Sequence, residues 1–140
     1  MFERALVATD GSDPAKNALQ YVLDNAPSEA EVVVITVMEK AKERDDFGRI
    51  FQHGEGDKLY YSTVLESCES MVKNSRPDVT GKFMLKEGKV ADVIVDTADE
   101  EEVDIIVMGS RGIGGVSGWM LGSTSRTVVN ECRKPILILK

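Results

Sequence analysis

An almost continuous apolar segment, EVVVITVM at residues 31–38, restricts the fold of this chain more than any other feature. A strand with one face in water alternates apolar and polar residues, whereas this segment has apolar side chains at nearly every position. Such a pattern is typical of a strand buried on both faces, and strands of this kind belong to parallel sheets that carry helices on either side. The segment therefore favours an α/β fold.

Strands and helices are expected to alternate along the rest of the chain. Short apolar runs predict four further strands, at 5–9, 81–88, 104–109 and 134–140. Apolar residues at helical spacing predict four helices, within 15–26, 59–73, 90–101 and 121–132. The sequence thus predicts a Rossmann-like, three-layer α/β sandwich around a five-stranded parallel sheet. Because crossover connections are right-handed, few topologies remain, and we expect the strand order 3-2-1-4-5.

Residues 39–58 depart from this alternation, since they carry eleven charged side chains in twenty positions. We interpret them as a mobile loop at the mouth of the domain, with room for a short helical piece. A solvated loop is the favoured interpretation, and a dedicated binding element is the alternative.

Length and charge narrow the possible functions. The 140 residues suit one domain, 1–140. A net charge of −7 and a pI near 4.8 argue against nucleic acid or an anionic membrane as the main partner. They do not exclude a small phosphate ligand, because backbone amides bind phosphate without a basic patch. No signal peptide or membrane-length apolar run is visible, and Cys68 and Cys132 are expected as buried thiols, so we expect a cytoplasmic protein.

Six of the twelve glycines lie between residues 109 and 122, directly after the predicted strand at 104–109. Fixing a glycine costs backbone entropy, so a dense cluster indicates a close approach of the backbone to something else. In the expected strand order, the strands at 5–9 and 104–109 are neighbours where the winding direction reverses. Ligands of such sheets bind beyond the carboxyl ends of the strands at this point. The cluster therefore lies where a nucleotide should bind.

The glycines are spaced as Gly109-x-x-Gly112, nine residues, then Gly122-Ser123. Gly109 and Gly112 flank the turn after the strand, where backbone N–H groups can face a phosphate with no Cβ in the way. Gly122 and Ser123 open the last predicted helix, whose N-terminus attracts anions, and the hydroxyl groups of 123–125 add donors. The lysine pattern of a P-loop and the dinucleotide fingerprint are both absent.

The chain resembles the universal stress protein family, in its ATP-binding branch. The nucleotide signature of that family is G-x-x-G, nine residues, G-[ST], and the spacing from Gly109 to Ser123 matches it without a gap. ALVATDGSDPAKNAL at 5–19 is similar to the family's first strand and helix, and VDIIVMGSRG at 103–112 to its fourth strand. The resemblance covers nearly the whole chain and is weakest from 39 to 58.

The resemblance implies a site for ATP, or for ADP or AMP, with Mg²⁺ or Mn²⁺ at the phosphates. Asp10 would contact the ribose hydroxyls, and the backbone of Val37 would pair with the adenine edge. The remaining implied contacts are Ala8, Thr9 and Met108 around the nucleoside, and Gly109, Arg111, Gly112, Gly122, Ser123, Thr124 and Ser125 at the phosphates.

Some of these residues have a simpler interpretation. On position alone, Asp10 suits the cap of the first helix as well as a ligand contact, and Ser123 suits both roles together. Arg111 is more typical of a solvated turn than of a phosphate clamp. Three additional glycines within 113–121, together with Trp119, depart from the family pattern. These departures would weaken the hold on the ligand or let the loop open more widely.

The expected function is that of a dimeric, ATP-binding regulatory or stress-response module with an unidentified protein partner. A slow ATP hydrolase or phosphotransferase is one alternative, although the sequence offers no convincing catalytic base apart from Asp10. A nucleotide-free interaction dimer is another, which the complete phosphate motif disfavours. The dimer is expected through the strand at 135–139, because an apolar edge strand is usually covered or paired.

Overall fold

The computed structural model of the protein describes residues 2–39, 43–44, 50–51, 55–110 and 123–140. The elements in chain order are β1 (Arg4–Ala8), α1 (Asp13–Asn25), β2 (Glu31–Met38), β3 (Glu43–Arg44), β4 (Ile50–Phe51), α2 (Glu55–Ser75), β5 (Thr80–Glu87), α3 (Val90–Glu100), β6 (Ile105–Gly109), α4 (Ser123–Glu131) and β7 (Ile136–Leu139).

The five longer strands form one parallel sheet in the order β5-β2-β1-β6-β7. Counted along the chain without the short β3 and β4, this order is 3-2-1-4-5, so the predicted topology is confirmed. In the register of the sheet, Ala8 lies beside Ile35 of β2 and beside Met108 of β6. The carboxyl ends of β1 and β6 therefore lie side by side at the point where the winding direction reverses.

Each face of the sheet is covered by two helices and has its own apolar core. Val32 and Val34 of β2 pack with α1 and α2, whereas Val33 and Ile35 pack with α3 and α4. All four side chains are at most 3% exposed. Burial on both faces of β2 explains why this strand has apolar residues at consecutive positions.

Residues 39–58 contain more regular structure than the loop that the sequence predicts. The two residues of β3 pair antiparallel with those of β4, and α2 begins at Glu55 rather than at residue 59. Strands of two residues, one of them charged at both positions, have no apolar alternation. The first turn of α2 is also rich in charge, so no hydrophobic period marks its start.

The last helix, α4, is described from Ser123 and ends at Glu131. The predicted start at Leu121 lies outside the described residues. Cys132 follows the helix and is only partly buried, whereas Cys68 is buried as expected, and both thiols are free. Burial raises the pKa of the Cys68 thiol, which keeps it protonated at neutral pH. No helix in the described ranges is long and apolar enough to cross a membrane.

Candidate functional site

The turn between β1 and α1 is built from short bonds between polar side chains and nearby amides. Thr9 Oγ1 accepts from the Gly11 amide at 3.1 Å, and Asp10 Oδ1 accepts from the Ser12 amide at 2.9 Å. Ser12 is the N-cap of α1, where its Oγ accepts from the Ala15 amide at 3.4 Å. Ser12 rather than Asp10 therefore caps the helix, and the carboxylate of Asp10 orders the turn before it.

Gly11 has a backbone conformation that suits glycine, with φ at +85°. A Cβ at this position would lie 2.7 Å from Tyr60 Oη and 2.9 Å from Val64 Cγ2, both on α2. Tyr60 Oη donates a hydrogen bond to the main-chain oxygen of Asp10 at 2.9 Å. Sequence reasoning did not find Tyr60, because fifty residues separate it from Asp10 and no short motif joins the two.

The end of β6 packs closely against the start of α1. A Cβ on Gly109 would lie 2.8 Å from Pro14 Cβ and 2.9 Å from the Pro14 carbonyl carbon. This glycine therefore allows the close contact between strand and helix, whatever else it binds. The Ser110 amide then donates to the Leu139 oxygen at 2.6 Å, which ties the strand end to β7.

A buried hydrogen bond holds the beginning of α4 against the same strand end. Ser125 Oγ donates to the Gly109 oxygen at 3.0 Å, and the Ser125 side chain is only 3% exposed. Ser123 is exposed and Thr124 is half-buried. The positive end of the α4 dipole and the amides of its first turn therefore lie at the carboxyl edge, beside the end of β6.

The register of β2 gives Val37 a particular position at this edge. The Ile35 oxygen accepts from the Thr9 amide at 2.9 Å, so the main-chain groups of Ile35 point toward β1. Those of Val37 point to the same side, because backbone groups alternate along a strand. Since β1 ends at Ala8, level with Ile35, the amide and carbonyl of Val37 point beyond the end of β1.

The structure brings most of the predicted nucleoside residues to one edge but divides them between two faces. Ala8, Val37 and Met108 belong to the α3/α4 side of the sheet. Thr9 directly follows Ala8, so its side chain lies on the opposite side of the sheet. It is 7% exposed and already accepts a hydrogen bond from the Gly11 amide. We therefore expect Thr9 to shape the turn, whatever contact it makes with a ligand.

Three predicted phosphate residues, Arg111, Gly112 and Gly122, lie outside the described residues. No group of three or more metal-ligating side chains occurs in the ranges that the structure describes.

Together, the sheet order and the polar turns at the switch point define a Rossmann-like α/β protein with its candidate site at the carboxyl edge. Residues 1–140 match the Universal stress protein family. The chain belongs to that family.

One relative is the universal stress protein in the QAH/OAS sulfhydrylase 3′ region of Thermus aquaticus, 32% identical over 141 residues that cover 100% of both chains.

Three solved structures share the fold. The Archaeoglobus fulgidus universal stress protein in complex with dAMP has a TM-score of 0.72 at 22% identity, covering 100% of this chain and 98% of that one. A universal stress protein in complex with cAMP has a TM-score of 0.69 at 20% identity, with coverages of 99% and 96%. An Arabidopsis thaliana family member with AMP bound has a TM-score of 0.68 at 19% identity, with coverages of 98% and 90%.

Proposed function

We propose that this protein is a dimeric regulatory module that binds ATP at the carboxyl edge of its sheet, between β1 and β6. The observation that carries the proposal is the meeting of two elements there. The Asp10 turn follows β1, and the first turn of α4 is held to the end of β6 by the bond from Ser125 to Gly109. The glycine spacing from Gly109 to Ser123 runs between β6 and α4.

Each part of the nucleotide has a proposed partner. The amide and carbonyl of Val37 would pair with the adenine edge, and the carboxylate of Asp10 would accept from the ribose hydroxyls. The phosphates would bind the amides of the glycine motif and of the first turn of α4. As long as the Ser125 hydroxyl donates to Gly109, its contact with phosphate would come from the main-chain amide.

The ligands of the three structural neighbours support an adenine nucleotide. They carry dAMP, cAMP and AMP, which share the base and one phosphate but differ in the sugar and in its linkage to that phosphate. The preference for ATP rests on the phosphate motif of this chain. Mg²⁺ or Mn²⁺ would be held mainly by the phosphate oxygens.

Binding is tested by thermal unfolding of nucleotide-free protein in the presence of ATP and Mg²⁺. A ligand that binds only the native state raises the melting temperature, and one at 100 times its dissociation constant adds about 2.7 kcal/mol. We expect a rise with ATP and a smaller one with GTP, whose base presents a different edge to Val37. No rise at millimolar ATP would refute the proposed function.

The dimer is proposed through β7, the last strand of the described sheet on that side. The main-chain oxygens of Pro135 and Leu139 accept bonds from Ile106 of β6 and from Ser110 directly after it, so Leu137 also faces β6. By alternation, Ile136 and Ile138 turn their amides and carbonyls outward. Antiparallel pairing with the same two residues of a second copy would satisfy both edges about a two-fold axis.

Ile138→Pro removes an outward-facing amide and should convert the dimer to a monomer, as measured by sedimentation at micromolar concentration. Leu85→Pro on β5 is the matched control. The amides of Thr80 and Gly88 bond back to β2, so that of Leu85 faces outward on the opposite edge. A monomeric wild type, or a folded Ile138→Pro variant that still dimerises fully, would exclude this interface.

A further inference from the structure

Tyr60 of α2 lies against the Asp10 turn and forms a hydrogen bond with it. Its hydroxyl donates to the Asp10 main-chain oxygen at 2.9 Å. Its ring contacts that of Tyr61 edge-to-face, with centroids 5.1 Å apart and an interplanar angle of 73°. Although 43% of Tyr60 is exposed, the phenol is therefore held at both its ring and its oxygen.

The other bonds of the turn act on its amides. Thr9 and Asp10 accept from the amides of Gly11 and Ser12, whereas the orientation of the Asp10 peptide also depends on a donor to its carbonyl. Tyr60 supplies that donor. Gly11 accommodates it, because any Cβ there would lie 2.7 Å from Tyr60 Oη. The hydroxyl of Tyr60 thus occupies the space that a side chain at position 11 would need, so the tyrosine on α2 requires the glycine in the turn.

We infer that Tyr60 is a positioning residue for the sugar end of the nucleotide site. Its bond to the Asp10 carbonyl fixes the peptide from which the Asp10 carboxylate projects, and so sets the direction of that carboxylate toward the ribose hydroxyls. This inference rests on the proposed nucleotide site. It adds that discrimination for ribose depends on α2 as well as on the β1–α1 turn.

The consequence is specific to one part of the ligand. Without the phenolic hydroxyl, the Asp10 carboxylate binds the ribose hydroxyls more weakly, while the contacts to the base and the phosphates are unchanged. A nucleotide that has both hydroxyls therefore loses affinity, and one that lacks both does not. A merely structural role for Tyr60 would weaken the binding of both nucleotides equally.

The experiment measures dissociation constants of Mg²⁺-ATP and Mg²⁺-2′,3′-dideoxyATP by calorimetry for three proteins: wild type, Tyr60→Phe and Tyr21→Phe. Tyr60→Phe keeps the ring and removes the hydroxyl, and thermal unfolding without ligand checks that the variant is folded. Tyr21 is the matched control, since it lies on α1 with a similar exposure of 40%. Tyr21→Phe should bind both nucleotides as the wild type does.

For Tyr60→Phe we expect the dissociation constant of ATP to rise about fivefold, the size expected for one lost hydrogen bond. That of dideoxyATP should stay unchanged. An unchanged constant for ATP, or an equal rise for both nucleotides, overturns the role of Tyr60 and leaves the nucleotide site standing. A wild type that binds no ATP overturns the proposed function, and this inference with it.

A double-mutant cycle with Asp10→Asn gives a second readout. The asparagine oxygen can still accept from the Ser12 amide, but the negative charge that would hold the ribose is gone. If Tyr60 acts through Asp10, Tyr60→Phe should weaken ATP binding little further in the Asp10→Asn background. Fully additive losses would show that the two side chains act independently and would overturn the inference.

Discussion

At the amino edge of the sheet, charged side chains close the turns, whereas at the carboxyl edge glycine and short polar side chains do so. Asp104 Oδ2 accepts from the amides of Glu3 and Arg4 at 2.9 and 3.0 Å, and Arg4 donates to the Glu101 oxygen at 2.8 Å. The carboxyl edge instead has Thr9, Asp10 and Ser12 bonded to neighbouring amides. The amino edge is thus closed by charged side chains, whereas the carboxyl edge combines local bonds in the β1–α1 turn with contacts from α2, α4 and β7.

The left-handed backbone positions follow the same division. At the amino edge they are occupied by Glu29 and Glu102, with φ of 66° and 52°. At the carboxyl edge they are occupied by Gly11 and Gly88, with φ of 85° and 142°. Glu29 and Glu102 are exposed, whereas a side chain is excluded at Gly11, where Tyr60 lies against the turn. The difference teaches that the charged turns of the amino edge serve stability, whereas the carboxyl edge presents glycine backbone without a Cβ, where we propose that the nucleotide binds.

The largest expected effect concerns Gly109, a residue of the carboxyl edge. It would break this simple division, because we expect Gly109 to be important for the stability of the fold. Gly109→Ala should lower the free energy of unfolding by about 2–3 kcal/mol, since the new Cβ meets the rigid first turn of α1. Urea unfolding measures the loss. Gly88→Ala is a comparison of another kind, because its cost would come from backbone strain at φ of 142° and from a side-chain contact with Val93 Cγ2 at 2.9 Å, not from a helix backbone. A Gly109→Ala variant as stable as the wild type would show that this close packing is unimportant.

The next effect sharpens the comparison, because a change at Asp104 of the amino edge should alter the stability of the protein but not its affinity for ATP. Asp104→Ala leaves the Glu3 and Arg4 amides without their carboxylate, and should lower the free energy of unfolding by about 1 kcal/mol, since these bonds are exposed to water. ATP affinity should not change. The five residues of β1 place Asp104 roughly 16 Å from the carboxyl edge. Weakened ATP binding by a folded Asp104→Ala variant would contradict the division of roles.

The same residue predicts a dependence on pH. Hydrogen bonds from the amides of Glu3 and Arg4 lower the pKa of the Asp104 carboxyl below its ordinary value of 3.8. Its contribution is therefore complete above the pKa of the unfolded chain and is lost as the pH falls through the lower, folded pKa. Unfolding curves of wild type and Asp104→Ala should differ at neutral pH and converge under acid conditions. A difference that grows as the pH falls below 4 would contradict this sign.

The smallest expected effect is a gain at the amino edge. Glu102 follows the end of α3, where the Glu102 and Val103 amides donate back to Asp99 and Ala98, as in a Schellman turn. Because glycine adopts the left-handed conformation without penalty, Glu102→Gly should raise the free energy of unfolding by about 0.5–1 kcal/mol. Chemical denaturation measures the gain. A loss of stability would mean that the glutamate side chain stabilises the turn.

The fold could be predicted from the sequence because its evidence is local. Burial on both faces leaves consecutive apolar residues in β2, and each predicted boundary of the five strands of the main sheet lies within two residues of the observed one. The order of the strands was expected from the handedness of the crossovers, and that order put the glycine motif at the switch point. The short pair β3 and β4 escaped prediction, because its residues are too few to show any alternation.

The candidate site was predicted only in part, because several of its contacts join distant segments. The spacing from Gly109 to Ser123 pointed to the end of β6, but not to the packing of Gly109 against Pro14. Nor does any local pattern connect Tyr60 with the Asp10 carbonyl. The roles of the motif residues toward a nucleotide remain predictions, for the described and the undescribed residues alike.

The central claim is that an adenine nucleotide binds at the carboxyl edge between β1 and β6, and amide chemical shifts test it most directly. Heteronuclear NMR spectra of ¹⁵N-labelled protein would be recorded while Mg²⁺-ATP is added. We predict that the amide signals of Asp10, Gly11 and Ser123 shift together and saturate with one dissociation constant, while those of Glu3 and Arg4 at the amino edge stay in place. Shifts confined to the amino edge, or no shifts at millimolar ATP, would contradict the account.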